Sequence, residues 1–234
     1  MKKLAIFVEG PTELTFVEKL LLEIGNKKQI SIRKEILSGG GKCPVISHLI
    51  GEIPETKSTK YKILLYSSCN DEKVLSDIKD RYNDLKSKGY GKIIGLRDLY
   101  PIEYSKKDEI KNLIRESLIR FKLSDATIVL AIMEIETWFL AELTHYNRLH
   151  PNLTINSIRL SVTDLEKIKD FEREVGHPAE LLNKIYHLVG YAYRKKEKQV
   201  QRTVNNLGYT EMYIDLRNKL SSLNEFITYL DDFF

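Results

Sequence analysis

Short apolar, β-rich runs alternate with stretches of helical periodicity over the first 143 residues, and no other feature of the chain constrains the fold as much. Leu4-Ala5-Ile6-Phe7-Val8 is a continuous apolar run, as a strand buried on both faces requires. Glu9-Gly10-Pro11-Thr12 stops it. Phe16, Val17, Leu20, Leu21 and Ile24 then recur at three- and four-residue spacing until Gly25-Asn26. Ile30 to Ile36 alternates like a second strand. Ser38-Gly39-Gly40-Gly41-Lys42 reads as a loop, and Pro44 to Ile53 as a helix. Further strands are expected at Ile63–Tyr66, Lys92–Leu96 and Thr127–Ile132, with helices over Glu72–Lys86, Lys107–Phe121 and Glu136–Leu143. Parallel strands need a helix to carry the chain back. The expected fold is therefore α/β, a mostly parallel central sheet of four to five strands with helices on both faces.

After Leu143 the strand signal ends. Thr163-Asp164-Leu165-Glu166 and Ser222-Leu223-Asn224-Glu225 have the pattern of capping boxes. Pro178 suits the first position of a helix through Leu188, and another helix fits Lys195 to Leu207, before Gly208. The chain thus divides into an α/β domain over 1–143 and a helical lobe over 144–234, expected to pack on the sheet. Hydrophobic residues make up 42% of the chain, enough to exclude disorder as the main state. No apolar run reaches the roughly 18 residues of a membrane span, and the apolar stretch ending at Val8 is too short for a signal peptide. Cys43 and Cys69 form neither a disulfide framework nor a metal-ligand spacing, which fits a reducing cytoplasm. A formal charge of +4 permits a nucleic-acid partner without requiring one.

Ligands of a parallel α/β sheet sit outside the carboxyl ends of its strands, so acids at those ends are informative. Glu9 ends the first predicted strand and Asp98 the fourth, Glu134 and Glu136 follow the fifth, and Glu13 lies one helical turn after Glu9. Carboxylates brought to one edge repel unless a cation sits between them, and hard oxygen ligands suit Mg²⁺ or Mn²⁺. Taken singly, each acid is ordinary surface charge, and Glu13 only complements its helix dipole. Their shared placement at strand ends favours the cation site. Arg97 adjoins Asp98, and Arg194, Lys195, Lys196, Lys198 and Arg202 form a basic cluster that suits phosphate or, equally, a solvated helix face. Ser38 to Cys43 is not a phosphate-binding P-loop, and the five histidines show no metal-ligand pairing. Trp138 reads as core and His177 as the residue that opens the helix at Pro178.

Ile6-Phe7-Val8-Glu9-Gly10-Pro11-Thr12-Glu13 resembles the first motif of TOPRIM domains, the metal-dependent module of topoisomerases, primases and nucleases of the overcoming-lysogenization-defect type. Tyr66-Ser67-Ser68-Cys69-Asn70, Gly95-Leu96-Arg97-Asp98, the segment from Met133 to Ala141, and Gly176-His177-Pro178-Ala179-Glu180 are similar to a TOPRIM-like family of unknown function encoded beside ATPases in bacterial defence loci. The resemblance implies a Mg²⁺- or Mn²⁺-dependent nuclease acting on DNA or RNA, tRNA included. It also implies a separate ATPase chain as partner, since this chain has no ATPase motif. Glu9, Asp98 and Lys195 would carry the chemistry, Glu9, Glu13, Asp98, Glu134 and Glu136 would hold metal, and Arg97, Arg194, Lys195 and Lys196 would meet nucleic acid. The usual second motif, Asp-x-Asp, reads Asp98-Leu99-Tyr100 here, so its second acid must come from Glu103, Glu134 or Glu136, or one metal is held instead of two. A non-catalytic module that binds a partner ATPase is the alternative. No membrane is implied, and self-association is left open. On the nuclease reading, Glu9→Gln keeps the side chain's shape but removes its charge, so cleavage of a labelled nucleic acid in Mg²⁺ falls by orders of magnitude while the circular dichroism spectrum is unchanged.

Overall fold

The computed structural model of the protein describes residues 1–25, 27–40, 43–68 and 73–234. Asn26, Gly41, Lys42, Cys69, Asn70 and Glu72, named above in loops, motifs and a helix start, lie outside the described residues. The first part of the chain runs β1 (Lys2–Val8), α1 (Pro11–Ile24), β2 (Ile30–Gly40), β3 (Cys43–Ile53), β4 (Tyr61–Ser67), α2 (Val74–Ser87), β5 (Lys92–Asp98), α3 (Lys107–Arg120) and β6 (Ala126–Ala131). Helices follow: α4 (Glu136–Ala141), α5 (His145–Leu149), α6 (Ile155–Ser161), α7 (Phe171–Glu174), α8 (Pro178–His187), α9 (Glu197–Asn206), α10 (Tyr209–Ile214) and α11 (Ser221–Asp231).

The strands form one six-stranded sheet in the order β3-β2-β4-β1-β5-β6. β1 pairs in parallel with both β4 and β5, and β2 pairs in parallel with β4. The chain moves one way across the sheet from β1 to β2 and the other way from β4 to β5 to β6. With right-handed crossovers, α1 therefore lies on one face and α2 and α3 on the other. The central position of β1 explains its composition, since every residue from Leu4 to Val8 is fully buried.

Two compact units divide the chain. One comprises Met1–Arg97, Asp108–Leu130 and Thr228–Phe234; the other comprises Asp98–Lys107 and Ala131–Ile227. The second unit buries Trp138, Phe139 and Leu140 of α4 and ties them to the start of α11 through polar groups. The Trp138 indole donates to Ser222 Oγ at 2.8 Å, and Ser222 Oγ donates to Glu172 Oε1 at 2.6 Å. Glu172 also accepts the Ser221 and Ser222 backbone N–H groups at 3.2 and 2.8 Å. No helix among the described residues is long and apolar enough to cross a membrane.

Two expectations are corrected. The segment from Pro44 to Ile53 is not a helix but most of strand β3, antiparallel to β2, and β2 itself runs on through Ser38 and Gly39. Ile46, Leu49, Ile50 and Ile53 match a helical template, yet Ile46, Leu49 and Ile50 are exposed. They form no buried stripe for a helix to dock with, and eleven residues of β2 offer a ladder instead. The two capping boxes also differ from expectation. Only a short 3-10 turn, Leu165–Lys167, follows Thr163, and Ser222 lies inside the first turn of α11, whose N–H groups are capped by the distant Glu172 carboxylate.

Gly95 of β5 marks a close approach within the first unit. A Cβ there would stand 2.8 Å from Ile128 Cγ1, 2.9 Å from Val74 Cγ1 and 3.0 Å from Ile78 Cδ1. All three are buried, so the space cannot open without moving α2 or β6. Gly95→Ala is expected to lower stability by roughly 1–3 kcal/mol as overpacking, read as a lower urea midpoint at unchanged slope.

Candidate functional site

The site is built where the chain leaves β5 and β6. Leu99 N–H donates to the Ala131 carbonyl at 2.8 Å and Tyr100 N–H to the Met133 carbonyl at 2.7 Å, so the two outgoing segments stay paired. Met133 then takes φ = +63°, a left-handed conformation that side chains larger than glycine adopt at a cost of roughly 1 kcal/mol or more. This turn brings Glu134, Ile135 and Glu136, at and just before the start of α4, beside Asp98. Ile135 N–H donates to Asp98 Oδ1 at 3.0 Å, closing the bend. Asp98, Glu134 and Glu136 are all buried, and each offers a carboxylate oxygen within 4.8 Å of the others.

Each carboxylate is held from outside through one oxygen. Asp98 Oδ1 accepts the Ile135 N–H. Glu134 Oε2 accepts the Ala179 N–H at 3.0 Å, in the first turn of α8, where Pro178 opens the helix and the dipole favours a negative charge. Glu136 Oε1 accepts the Tyr193 hydroxyl at 2.8 Å. Pinning one oxygen fixes the rotamer and turns the other inward. The inward oxygens of the two glutamates meet an ammonium: Lys195 Nζ donates to Glu134 Oε1 at 2.8 Å and lies 3.1 Å from Glu136 Oε2.

The electrostatics follow from burial. Glu136, fully buried, is raised above its ordinary pKa of 4.5, first by desolvation and then by the Glu134 charge, against the pull of Lys195 and Tyr193. For Lys195, burial works downward, but the charges of Glu136 and Glu134 outweigh it and hold the ammonium above its ordinary 10.5. Three carboxylates with one tethered ammonium could hold a metal ion. Their hard oxygens suit Mg²⁺ or Mn²⁺.

Of the residues singled out in the sequence, Asp98, Glu134, Glu136 and Lys195 come together. Glu136 is fully buried within the cluster. Glu9 and Glu13 belong to the first unit. Glu13 Oε2 accepts the Gly10 N–H at 2.9 Å, and Glu9 Oε1 lies 3.9 Å from Arg97 Nε. Arg194, Lys196 and Lys198 are exposed, whereas Arg202 stacks on the Tyr191 ring at 4.1 Å and donates to the Ala192 carbonyl. His177 precedes α8 as expected, with its ring 6.0 Å from that of Tyr100. Sequence reasoning missed Tyr193 and the Ala179 N–H as parts of the site. Glycine-like turns at Met133 and Lys195 (φ = +53°) have no sequence signature either. Comparison of the chain with protein-family models, curated proteins and solved structures finds no match.

The Lys195 ion pair has a testable pH signature. Because its folded pKa is raised, its contribution to stability is fully present below 10.5 and is lost as pH rises through the higher folded value. Wild type is therefore expected to be more stable than Lys195→Met at pH 8, with the difference in urea midpoint shrinking progressively above pH 10.5. A difference that stays constant to pH 12 would show that the pair contributes nothing through charge.

Proposed function

We propose that this chain is a TOPRIM-like, Mg²⁺- or Mn²⁺-dependent hydrolase of phosphodiester bonds in nucleic acid. The observation that carries the reading is the group of three buried carboxylates, Asp98, Glu134 and Glu136, each pinned through its outer oxygen. Burying three acids together is unfavourable, and a fold retains such an arrangement when a cation occupies it. A bound divalent ion would supply Lewis acidity toward a phosphate oxygen and a lowered pKa for water. The protein's own groups would do the rest. Lys195, tethered at the cluster's rim, would place a positive charge beside the phosphate, and exposed Arg194 and Lys196 would bind the flanking backbone. Through the motif resemblance, Glu9 and Glu13 remain proposed as metal ligands and Arg97 as a nucleic-acid contact. Service as the effector of a bacterial defence system, with an ATPase in a separate chain, extends this reading through the motif resemblance.

One observation favours the alternative of a non-catalytic module that binds a partner ATPase. Lys195 already neutralises part of the acidic cluster, as a purely structural ion pair would. The two readings separate on metal. Asp98→Asn and Glu134→Gln remove ligand charge with little change of shape. Each is expected to weaken Mn²⁺ binding, followed by electron paramagnetic resonance, by about tenfold or more and to lower cleavage of single- and double-stranded DNA and of RNA by about 100-fold or more. Wild-type protein that neither binds Mn²⁺ nor cleaves any of these would remove the hydrolase reading.

A further inference from the structure

Lys195 stands on a short bridge between two fixed points. On one side Tyr193 is anchored by its N–H to Asn183 Oδ1 at 2.8 Å and by its hydroxyl to Glu136. On the other, α9 begins at Glu197, and Arg194 N–H reaches forward to Gln199 Oε1 at 2.6 Å. Lys195 itself has φ = +53°, and its side chain is 38% exposed, so it has room to leave. Its ammonium takes the inward oxygens of Glu134 and Glu136. Yet Glu136 Oε2, fully buried, accepts no hydrogen bond from the described residues, although it lies 3.1 Å from that ammonium. The cluster is thus filled by a cation that satisfies it incompletely.

We infer that Lys195 is a resident cation of the Asp98–Glu134–Glu136 cluster, and that a divalent ion enters by displacing its ammonium. This rests on the cation-binding reading given above and adds how the site is kept charge-balanced until the ion arrives. Two positive charges that draw on the same pair of inward oxygens repel each other, and a Mg²⁺ or Mn²⁺ ion is the stronger competitor for carboxylate oxygen. The outer donors Ile135 N–H, Ala179 N–H and the Tyr193 hydroxyl stay in place during the exchange, so the cluster keeps its shape. The released lysine joins exposed Arg194 and Lys196 on the same short segment. Ion binding would thereby create a stronger phosphate-binding patch, linking the two events through one side chain.

The test uses Mn²⁺ as the probe on wild-type protein and on Lys195→Met, which keeps an unbranched side chain without the charge. Removing the competitor is expected to tighten Mn²⁺ binding by about tenfold or more. Acetylation of Lys195 in the wild type, quantified by peptide mass spectrometry, is expected to accelerate several-fold on saturation with Mn²⁺, with Lys219 as an internal reference. The urea midpoint of Lys195→Met establishes that the variant is folded, and the acetylation measurement does not depend on it. Equal or weaker Mn²⁺ binding by Lys195→Met, with unchanged Lys195 acetylation in a wild type that does bind Mn²⁺, overturns the displacement while leaving the cation site intact. Failure of both proteins to bind Mn²⁺ overturns the cation site and the displacement together.

Discussion

Carboxylates whose oxygens stand within 4.8 Å of one another, out of water, repel strongly unless their charge is answered locally. The second unit is organised around answering it. Three outer hydrogen bonds, from Ile135, Ala179 and Tyr193, and one ammonium, from Lys195, come from three separate stretches of chain. Each needs its own local geometry: the left-handed turn at Met133, the proline-initiated helix at Pro178, the left-handed Lys195. Removing any one donor leaves a buried charge less compensated, so the cluster couples these stretches more tightly than apolar packing alone would.

The helical residues after β6 are therefore part of the site rather than an appendage. Ala179, Tyr193 and Lys195 all lie beyond residue 143, and they supply two of the three outer donors and the only ammonium found on the cluster among the described residues. A sheet edge delivers acids to one place easily, because strand ends align by construction. It does not deliver their counter-charges, which must be brought by chain that returns from elsewhere. Glu172 repeats the device on a smaller scale, where a distant carboxylate caps the first turn of α11 in place of the local serine the sequence suggests.

Legibility from sequence follows the range of the interaction concerned. The buried strands were readable because a central parallel strand must be apolar at every position, as Leu4–Val8 is. Asp98, Glu134 and Glu136 were readable because strand-end position is a local property. Lys195 was reached through its neighbours in a basic run and a family resemblance, not through any spacing that pairs it with Glu134, 61 residues earlier. Tyr193 carried no signal, since one tyrosine hydroxyl among 13 tyrosines does not announce its acceptor. Strand β3 misled for a physical reason. At an exposed edge, Ile46, Leu49 and Ile50 are free of the in-and-out alternation that burial imposes, and their spacing then imitates a helix.

The charge balance decides how the cluster can respond. Three carboxylates against one ammonium leave the cluster short of positive charge, and Glu136, raised first by burial and then by the Glu134 charge, is the acid held above its ordinary pKa. A proton on Glu136 relieves that shortage only near and below the raised value. A divalent ion relieves it without any proton uptake, by setting positive charge directly against the carboxylate oxygens. Exchanging one ammonium for one divalent ion makes up more of that shortage than either the lysine or the proton can. The chain's own groups thus hold the cluster together, and on the proposed reading the lysine that stabilises it is the group a divalent ion would move.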